Sequence, residues 1–173
     1  MKKQSPARDA ALAAMLMALS VAIGFICKTY LTFGAVRVTF ENLPVLIAGI
    51  AFGPVVGALV GIGSDVVSAV FSGFAVNPII TVGAAAIGAC AGLLRLYFFK
   101  SNKYAPFLFT ALISHAVGSM AVKSVGLYTL GFSLPMLWPR IPLYIGIAIA
   151  ESYIIYILSK NKFVAKTFFG GKA

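Results

Sequence analysis

One short stretch of this apolar chain collects side chains that are suited to binding a small molecule. This stretch is Arg37–Asn42. It contains an arginine, an aromatic ring, a carboxylate and an amide, at Arg37, Phe40, Glu41 and Asn42. Cationic and amide donors form charge-assisted hydrogen bonds with anions, and an aromatic ring packs against a flat heterocycle. The chemistry that these residue types favour is the binding of an anionic, aromatic ligand.

Residues from other parts of the chain would join this group if loops 1, 3 and 5 meet at one face of the fold. They are two cations, an amide and three aromatic side chains, namely Lys123, Arg140, Asn77, Phe74, Tyr128 and Trp138. Cations and aromatic walls around one cavity are typical of a site for a small organic anion. The alternative is that these loop charges only contact water and lipid headgroups.

The composition defines the class of protein that must position these residues. Of the 173 residues, 61% are hydrophobic and 10% are charged, with a mean hydropathy of +1.00. Since a soluble domain has about 25% charged residues, this is an integral membrane protein. The net charge of +10 comes largely from the termini and short loops, so it does not indicate nucleic acid. Cys27 and Cys90 lie in apolar runs and indicate neither a disulfide nor a metal site.

The apolar runs predict an all-α, compact bundle of six helices that forms a single domain over residues 1–173. The helices are expected at about 8–27, 43–52, 55–71, 78–99, 104–130 and 138–158. Ten helical residues extend only about 15 Å, so the second helix is too short to cross a bilayer. A tight turn at Gly53-Pro54 then returns the chain into the membrane, and the short helix leaves a hollow at one face.

The distribution of Lys and Arg predicts the orientation in the membrane. With the N-terminus inside, the cytoplasmic side receives most of the cations, and the outer half receives Lys28, Arg37, Lys123 and Arg140. This bias predicts that both termini are cytoplasmic in a multi-pass protein of the plasma membrane.

Several ionisable residues are expected within the membrane, where such groups are functional by default. Asp65 and Glu151 lie near the middle of helices, and we expect them to pair with donors across the bundle. A proton relay is the alternative, although a chain of alternating carboxylates and histidines is absent. His115, close to Ser114 and Ser119, is expected to be a hydrogen-bonded packing residue.

The first helix carries a row of small residues, Ala10, Ala14 and Ala18. Small residues four apart form a smooth stripe on which another helix can approach closely. The stripe predicts either a surface for a partner protein or packing within the bundle.

Four segments of the chain carry a resemblance to a known family. They are FENLPVLIAGIAFGP, VNPIITVGAA, SHAVGSMAVKSVGL and RIPLYIGIAIAESYIIY. With them, nearly the whole chain resembles the membrane-embedded S components of energy-coupling factor (ECF) vitamin transporters of bacterial-type cells, and most closely the folate-specific type. The resemblance implies a six-helix fold and a pocket open to the outside under loops 1, 3 and 5. It also implies docking of the alanine stripe on a transmembrane coupling subunit that works with two cytoplasmic ATPases.

The residues are consistent with folate as the transported ligand, without a cofactor. Glu41, Asn42 and Asn77 suit the donor–acceptor edge of the pterin, and the outer cations suit the two carboxylates of the glutamate tail. Another vitamin such as riboflavin or pantothenate is the first alternative, whereas cationic thiamine fits this many cations poorly. A small proton-coupled carrier that uses Asp65 and Glu151 is the alternative from another class.

The sequence does not favour an enzyme, because no nucleophile-and-base or metal constellation is present. No G-x-x-x-x-G-K-[ST] phosphate loop occurs either, so partner subunits are expected to hydrolyse ATP.

Overall fold

The structure is a computed structural model that describes residues 6–33, 36–73, 75–98 and 104–168. Most of these residues are helical, as predicted, and a small antiparallel hairpin joins the first two helices with Thr32 opposite Arg37. In chain order the elements are α1 (Pro6–Tyr30), β1 (Thr32–Phe33), β2 (Val36–Arg37), α2 (Asn42–Phe52), α3 (Pro54–Phe71), α4 (Pro78–Phe98), α5 (Tyr104–His115), the π-helix π1 (Ala116–Val122), α6 (Lys123–Thr129), α7 (Leu134–Leu137), α8 (Arg140–Lys160) and α9 (Lys162–Phe168).

Within the described ranges, five helical stretches are long and apolar enough to cross a membrane, which confirms the integral membrane class. They are Pro6–Tyr30, Pro54–Phe71, Pro78–Tyr97, Tyr104–Thr129 and Leu134–Lys160. Helix α2 has 11 residues and extends about 16 Å, so it is the predicted short helix.

The predicted turn between the second and third helices is confirmed. Gly53 has a φ of 97°, in the region that favours glycine, and its N–H donates to the carbonyl of Gly49 at 2.9 Å. Pro54 then occupies the first turn of α3, where its missing N–H leaves no hydrogen bond unmade. The chain therefore turns back directly from α2 into α3.

Helix α2 forms the centre of the core together with α3 and α4. Most of its side chains are buried, and Leu46 and Ile50 are almost fully inaccessible. Glycines allow the three backbones to touch, since a Cβ on Gly88 would lie 2.1 Å from the carbonyl oxygen of Gly57 and one on Gly49 would lie 2.3 Å from that of Gly88. At the end of α2, the Arg95 guanidinium donates to the carbonyl of Ala51, one of the groups that a helix end leaves unpaired.

The structure differs from the sequence prediction in four elements. The helix predicted over 104–130 is divided by π1, in which the Lys123 N–H bonds to the carbonyl five residues earlier, at Gly118. The hairpin β1–β2 and the short helices α7 and α9 were not predicted. The six-helix count, the single domain over residues 1–173 and the cytoplasmic placement of both termini stay predictions.

Candidate functional site

A small polar cavity lies inside the bundle, below the end that carries the hairpin. Side chains from α1, α2, α3, α4 and α6, together with Glu41, line a volume of ≈ 10 Å³, about the space of one water molecule. The lining residues are Ser20, Glu41, Asn42, Val45, Ser64, Asp65, Ser68, Ala84 and Lys123. Asp65 and Lys123 are each six residues from the hairpin-side end of their helical stretch, so the cavity lies roughly 9 Å below that end.

Glu41 and Lys123 face each other across this cavity. The Lys123 Nζ lies 3.9 Å from the Glu41 Oε1, and the two side chains are 9% and 15% exposed. Glycines leave room for both, because a Cβ on Gly24 would lie 2.7 Å from the Glu41 Oε2 and one on Gly83 would lie 2.6 Å from the Lys123 Cγ. The Ser20 hydroxyl also donates to the Glu41 carbonyl oxygen at 2.5 Å. The carboxylate and the ammonium of the predicted site are therefore together in the structure.

Asn42 begins α2 and lines the same cavity. It is 2% exposed, yet its Nδ2 has no hydrogen-bond acceptor among the described residues. A buried amide donor without a partner is costly, by about 1–3 kcal/mol, so it marks a position where an acceptor would be bound favourably.

Asp65 of α3 contributes a second carboxylate to the cavity. Its predicted pairing with a donor across the bundle is confirmed. The Thr81 hydroxyl of α4 donates to the Asp65 Oδ2 at 2.7 Å. The Thr81 Oγ1 also lies 3.2 Å from the Asn77 carbonyl oxygen, but its single proton satisfies the shorter contact with the carboxylate. Asn77 itself caps α4, since its Oδ1 accepts the N–H groups of Ile79 and Ile80 at 2.9 and 3.3 Å.

The π-helix positions Lys123 relative to α4. A Cβ on Gly118 would lie 2.6 Å from the Gly83 carbonyl oxygen, so π1 and α4 are in backbone contact. Because a π segment accommodates an extra residue, it changes the direction in which the following side chains point. Lys123 is the first residue after π1 and lies in the cavity wall.

Arg140 lies in a second polar cluster, and it does not line the cavity. It is 8% exposed, its Nη2 donates to the Ser119 carbonyl at 3.3 Å, and its guanidinium lies 5.2 Å from the centre of the Tyr144 ring. Tyr144 stacks on His115, whose Nε2 lies 2.6 Å from the Glu151 Oε2, with both members of that pair fully buried. The expected pairing of Glu151 is confirmed.

His115 is a hydrogen-bonded packing residue, as predicted. Its Nδ1 lies 3.0 Å from the Ser119 hydroxyl, and its Nε2 is occupied by Glu151. Both ring nitrogens are therefore used inside the protein.

Three of the four predicted aromatic residues are described, and none of these three lines the cavity. Phe40 is half-buried beside Glu41. Tyr128 and Trp138 are largely exposed, at 58% and 70%, and line an apolar groove of ≈ 400 Å³ on the outside of the bundle. Phe74 and the side chain of Arg37 fall outside the described residues, so their predicted contacts with a ligand stay predictions.

The alanine stripe of α1 is on the surface. Ala10, Ala14 and Ala18 are all exposed. Ala14 and Ala18 also line an open apolar groove of ≈ 480 Å³ between α1 and α3. Of the two interpretations of this stripe, exposure favours a surface for a partner over packing inside the bundle.

Sequence analysis missed the hydroxyl groups of the cavity and the part that Asp65 plays in it. Ser64 and Ser68 are four residues apart on α3, on the same face as Gly57 and Gly61. That spacing, next to an intramembrane carboxylate, is the signal that would have found them, because residues i and i+4 share a helix face.

Comparison with known proteins adds two findings. A family model described as "ECF transporter, substrate-specific component" matches residues 8–165. Among curated proteins, the chain is 33% identical over 85 residues to the "Uncharacterized protein MG098 homolog" of Mycoplasma pneumoniae. The second match covers 49% of this chain and 18% of that relative, so the chain spans less than a fifth of that protein's length.

Proposed function

Because the chain belongs to the family of ECF transporter substrate-specific components, we propose that it binds folate or a related pterin and delivers it to an ATP-driven ECF module. The family consists of transporter subunits rather than enzymes, and the five apolar spans are those of a multi-pass membrane protein. The choice of folate is supported by the chemistry of one place in the structure, the polar cavity.

This cavity carries the proposal because its groups complement a pterin. Glu41 and Asp65 offer acceptors for ring N–H groups, and the unpartnered Asn42 Nδ2 offers a donor for a ring oxygen or nitrogen. Lys123 offers an ammonium donor to a ring oxygen or nitrogen, although it is close to Glu41 in the structure. Acceptors, an amide donor and an ammonium in one small polar space suit the donor–acceptor edge of a pterin.

The size of the cavity means that binding requires the bundle to open. Sites for small organic ligands have volumes of about 300–1,000 Å³, far above the ≈ 10 Å³ found here. The cavity lies closer to the hairpin end than to the other end, roughly 9 Å below it. We therefore place the entrance at the hairpin end, which the positive-inside rule assigns to the outer face, with both termini cytoplasmic.

The alanine stripe supports the second half of the proposal, delivery to partner subunits. Ala10, Ala14 and Ala18 present a smooth, exposed surface on α1, which permits close approach of another transmembrane helix. The chain has no phosphate loop, so two cytoplasmic ATPases would supply the energy through a membrane-embedded coupling subunit.

Transport in liposomes tests this function. Reconstituted alone, the protein should bind radiolabelled folate and accumulate none, with or without a proton gradient. Together with the coupling subunit and the two ATPases, it should accumulate folate only when ATP is present. Gradient-driven uptake by the isolated protein would refute the proposal and identify a secondary carrier. ATP-driven uptake of riboflavin or pantothenate, without folate uptake, would keep the family and refute the choice of folate.

A further inference from the structure

Asp65 is a carboxylate inside a membrane-spanning helix, and no cation is paired with it among the described residues. Its hydrogen bond comes from the neutral Thr81 hydroxyl, whereas the other carboxylate of the cavity, Glu41, has Lys123 at 3.9 Å. A further cation, Lys28, donates from its Nζ to the Ser68 hydroxyl in the cavity wall. An intramembrane carboxylate that the fold orients but does not neutralise has acceptor capacity left for a ligand.

The neighbouring Asn42 supplies an independent sign of a ligand at this place. Its Nδ2 is buried, lines the same cavity and has no acceptor among the described residues. A ligand that brings one acceptor for Asn42 and donors for Asp65 would satisfy both groups at once.

We propose that Asp65 recognises the N–H groups of the ligand's heterocycle and that Thr81 is the positioning residue that holds its carboxylate. This inference rests on the proposed function and deepens it, because it states which end of the ligand lies deepest in the site. The heterocycle lies deepest, against Asp65 and Asn42, and the acidic tail extends toward the hairpin end.

The chemical class that fits is a 2-amino-4-oxo-pyrimidine ring, the part of a pterin that carries adjacent donors. Its ring N–H and its amino N–H are parallel, so they can bond both oxygens of one carboxylate, as an arginine fork does. The neighbouring carbonyl oxygen at position 4 is then available to the Asn42 amide. A ring with oxygen in place of the amino group would present an acceptor to the carboxylate, and it would be rejected.

Two small probes test this recognition directly in the full-length, detergent-purified protein. They are 6-methylpterin, which has the 2-amino group, and 6-methyllumazine, which has oxygen there. We expect calorimetric titration to show that the wild type binds 6-methylpterin about a hundredfold or more tightly than 6-methyllumazine, because a site built to bond an N–H rejects a ligand without it.

The informative substitution is Asp65→Asn, which keeps the shape and removes the charge. The amide accepts one ring N–H and donates to the oxygen of the lumazine, so the preference for the pterin should fall at least tenfold. The affinity for folate should fall about ten- to hundredfold, the effect of losing a charge-assisted hydrogen bond. A purely structural role of Asp65 would lower both affinities together and leave their ratio unchanged.

A second pair of variants tests the positioning role of Thr81. The same pair replaces Asp65→Asn as the test of the inference if that variant fails to fold. Thr81→Val removes the hydroxyl at constant size and should weaken folate and 6-methylpterin binding about two- to tenfold, while reducing the discrimination between the two rings. Thr110→Val is the matched control, because the Thr110 hydroxyl is buried, has no partner among the described residues and does not line the cavity. It should leave every affinity unchanged.

The outcomes separate this inference from the function on which it rests. If the wild type binds folate but Asp65→Asn, or Thr81→Val in its place, keeps the wild-type ratio between the two rings, the inference is overturned and the proposed function stands. If the wild type binds neither folate nor 6-methylpterin, both are overturned.

Discussion

The contact between Glu41 and Lys123 is the part of the cavity whose strength can be worked out from the structure. Their charged atoms are 3.9 Å apart, and the side chains are 15% and 9% exposed. At that distance and an effective dielectric constant of about 20, the Coulomb attraction is about 4 kcal/mol. Desolvation offsets part of this attraction, so the net coupling should be about 2 kcal/mol or more.

Two substitutions and their combination measure this coupling. Lys123→Met keeps the length and leaves Glu41 without this ammonium, which should lower the free energy of unfolding by about 3 kcal/mol. Glu41→Gln should lower it by about 2 kcal/mol, because it removes the same Coulomb attraction while keeping the shape of the side chain. The double variant should lose less stability than the sum of the two single losses, because each single variant already removes the whole Glu41–Lys123 attraction.

The assay is unfolding of each variant in mixed detergent with increasing SDS, followed by far-ultraviolet circular dichroism. Lys162→Met is the control, since Lys162 is exposed at the start of α9 and its replacement should change stability by less than about 0.5 kcal/mol. Losses that add within about 0.5 kcal/mol in the double variant would refute the coupling and the description of this cavity wall.

Three further predictions concern other parts of the molecule. Glu151→Ala should destabilise the protein by about 3–5 kcal/mol because it leaves His115 buried without its partner, whereas Glu151→Gln should be tolerated; thermal melting in detergent compares them, and equal melting temperatures would argue against the pair. Gly88→Val should abolish folding because its Cβ would overlap a backbone carbonyl, and the yield of monodisperse protein measures this loss. Gly146→Ala, whose Cβ would have nothing within 4 Å, should keep that yield and be neutral or stabilising by up to about 1 kcal/mol. Ala14→Trp should block co-purification with the coupling subunit while preserving folate affinity, and intact assembly with damaged binding would show that α1 packs there against its own bundle.

The helical architecture was predictable because bilayer dimensions and glycine–proline chemistry leave little choice. Apolar runs of sufficient length indicated the spans, and ten apolar residues stopped by Gly53-Pro54 indicated a helix too short to cross. The π-helix was not predictable in this way, because hydrophobic runs do not distinguish i→i−4 from i→i−5 hydrogen bonding. Sequence alone therefore indicated the order of the helices and missed the change in direction before Lys123.

The candidate site was predicted in part. Glu41, Asn42 and Lys123 do line one cavity, because one end of the bundle gathers them at similar depth. Arg140 was grouped with them on loop convergence alone, but its side chain lies against Tyr144 and the Ser119 carbonyl. Its role in ligand binding stays a prediction, since closeness to a loop gives the depth of a side chain and not which face of its helix is turned toward the cavity.

A calorimetric titration of folic acid into the detergent-purified protein tests the central claim most directly. We expect saturable binding in a one-to-one complex, with no comparable signal for riboflavin or pantothenate, and with a weakened complex in the Lys123→Met variant. No binding of folic acid by folded protein, together with saturable binding of riboflavin or pantothenate, would contradict the assignment of a folate site.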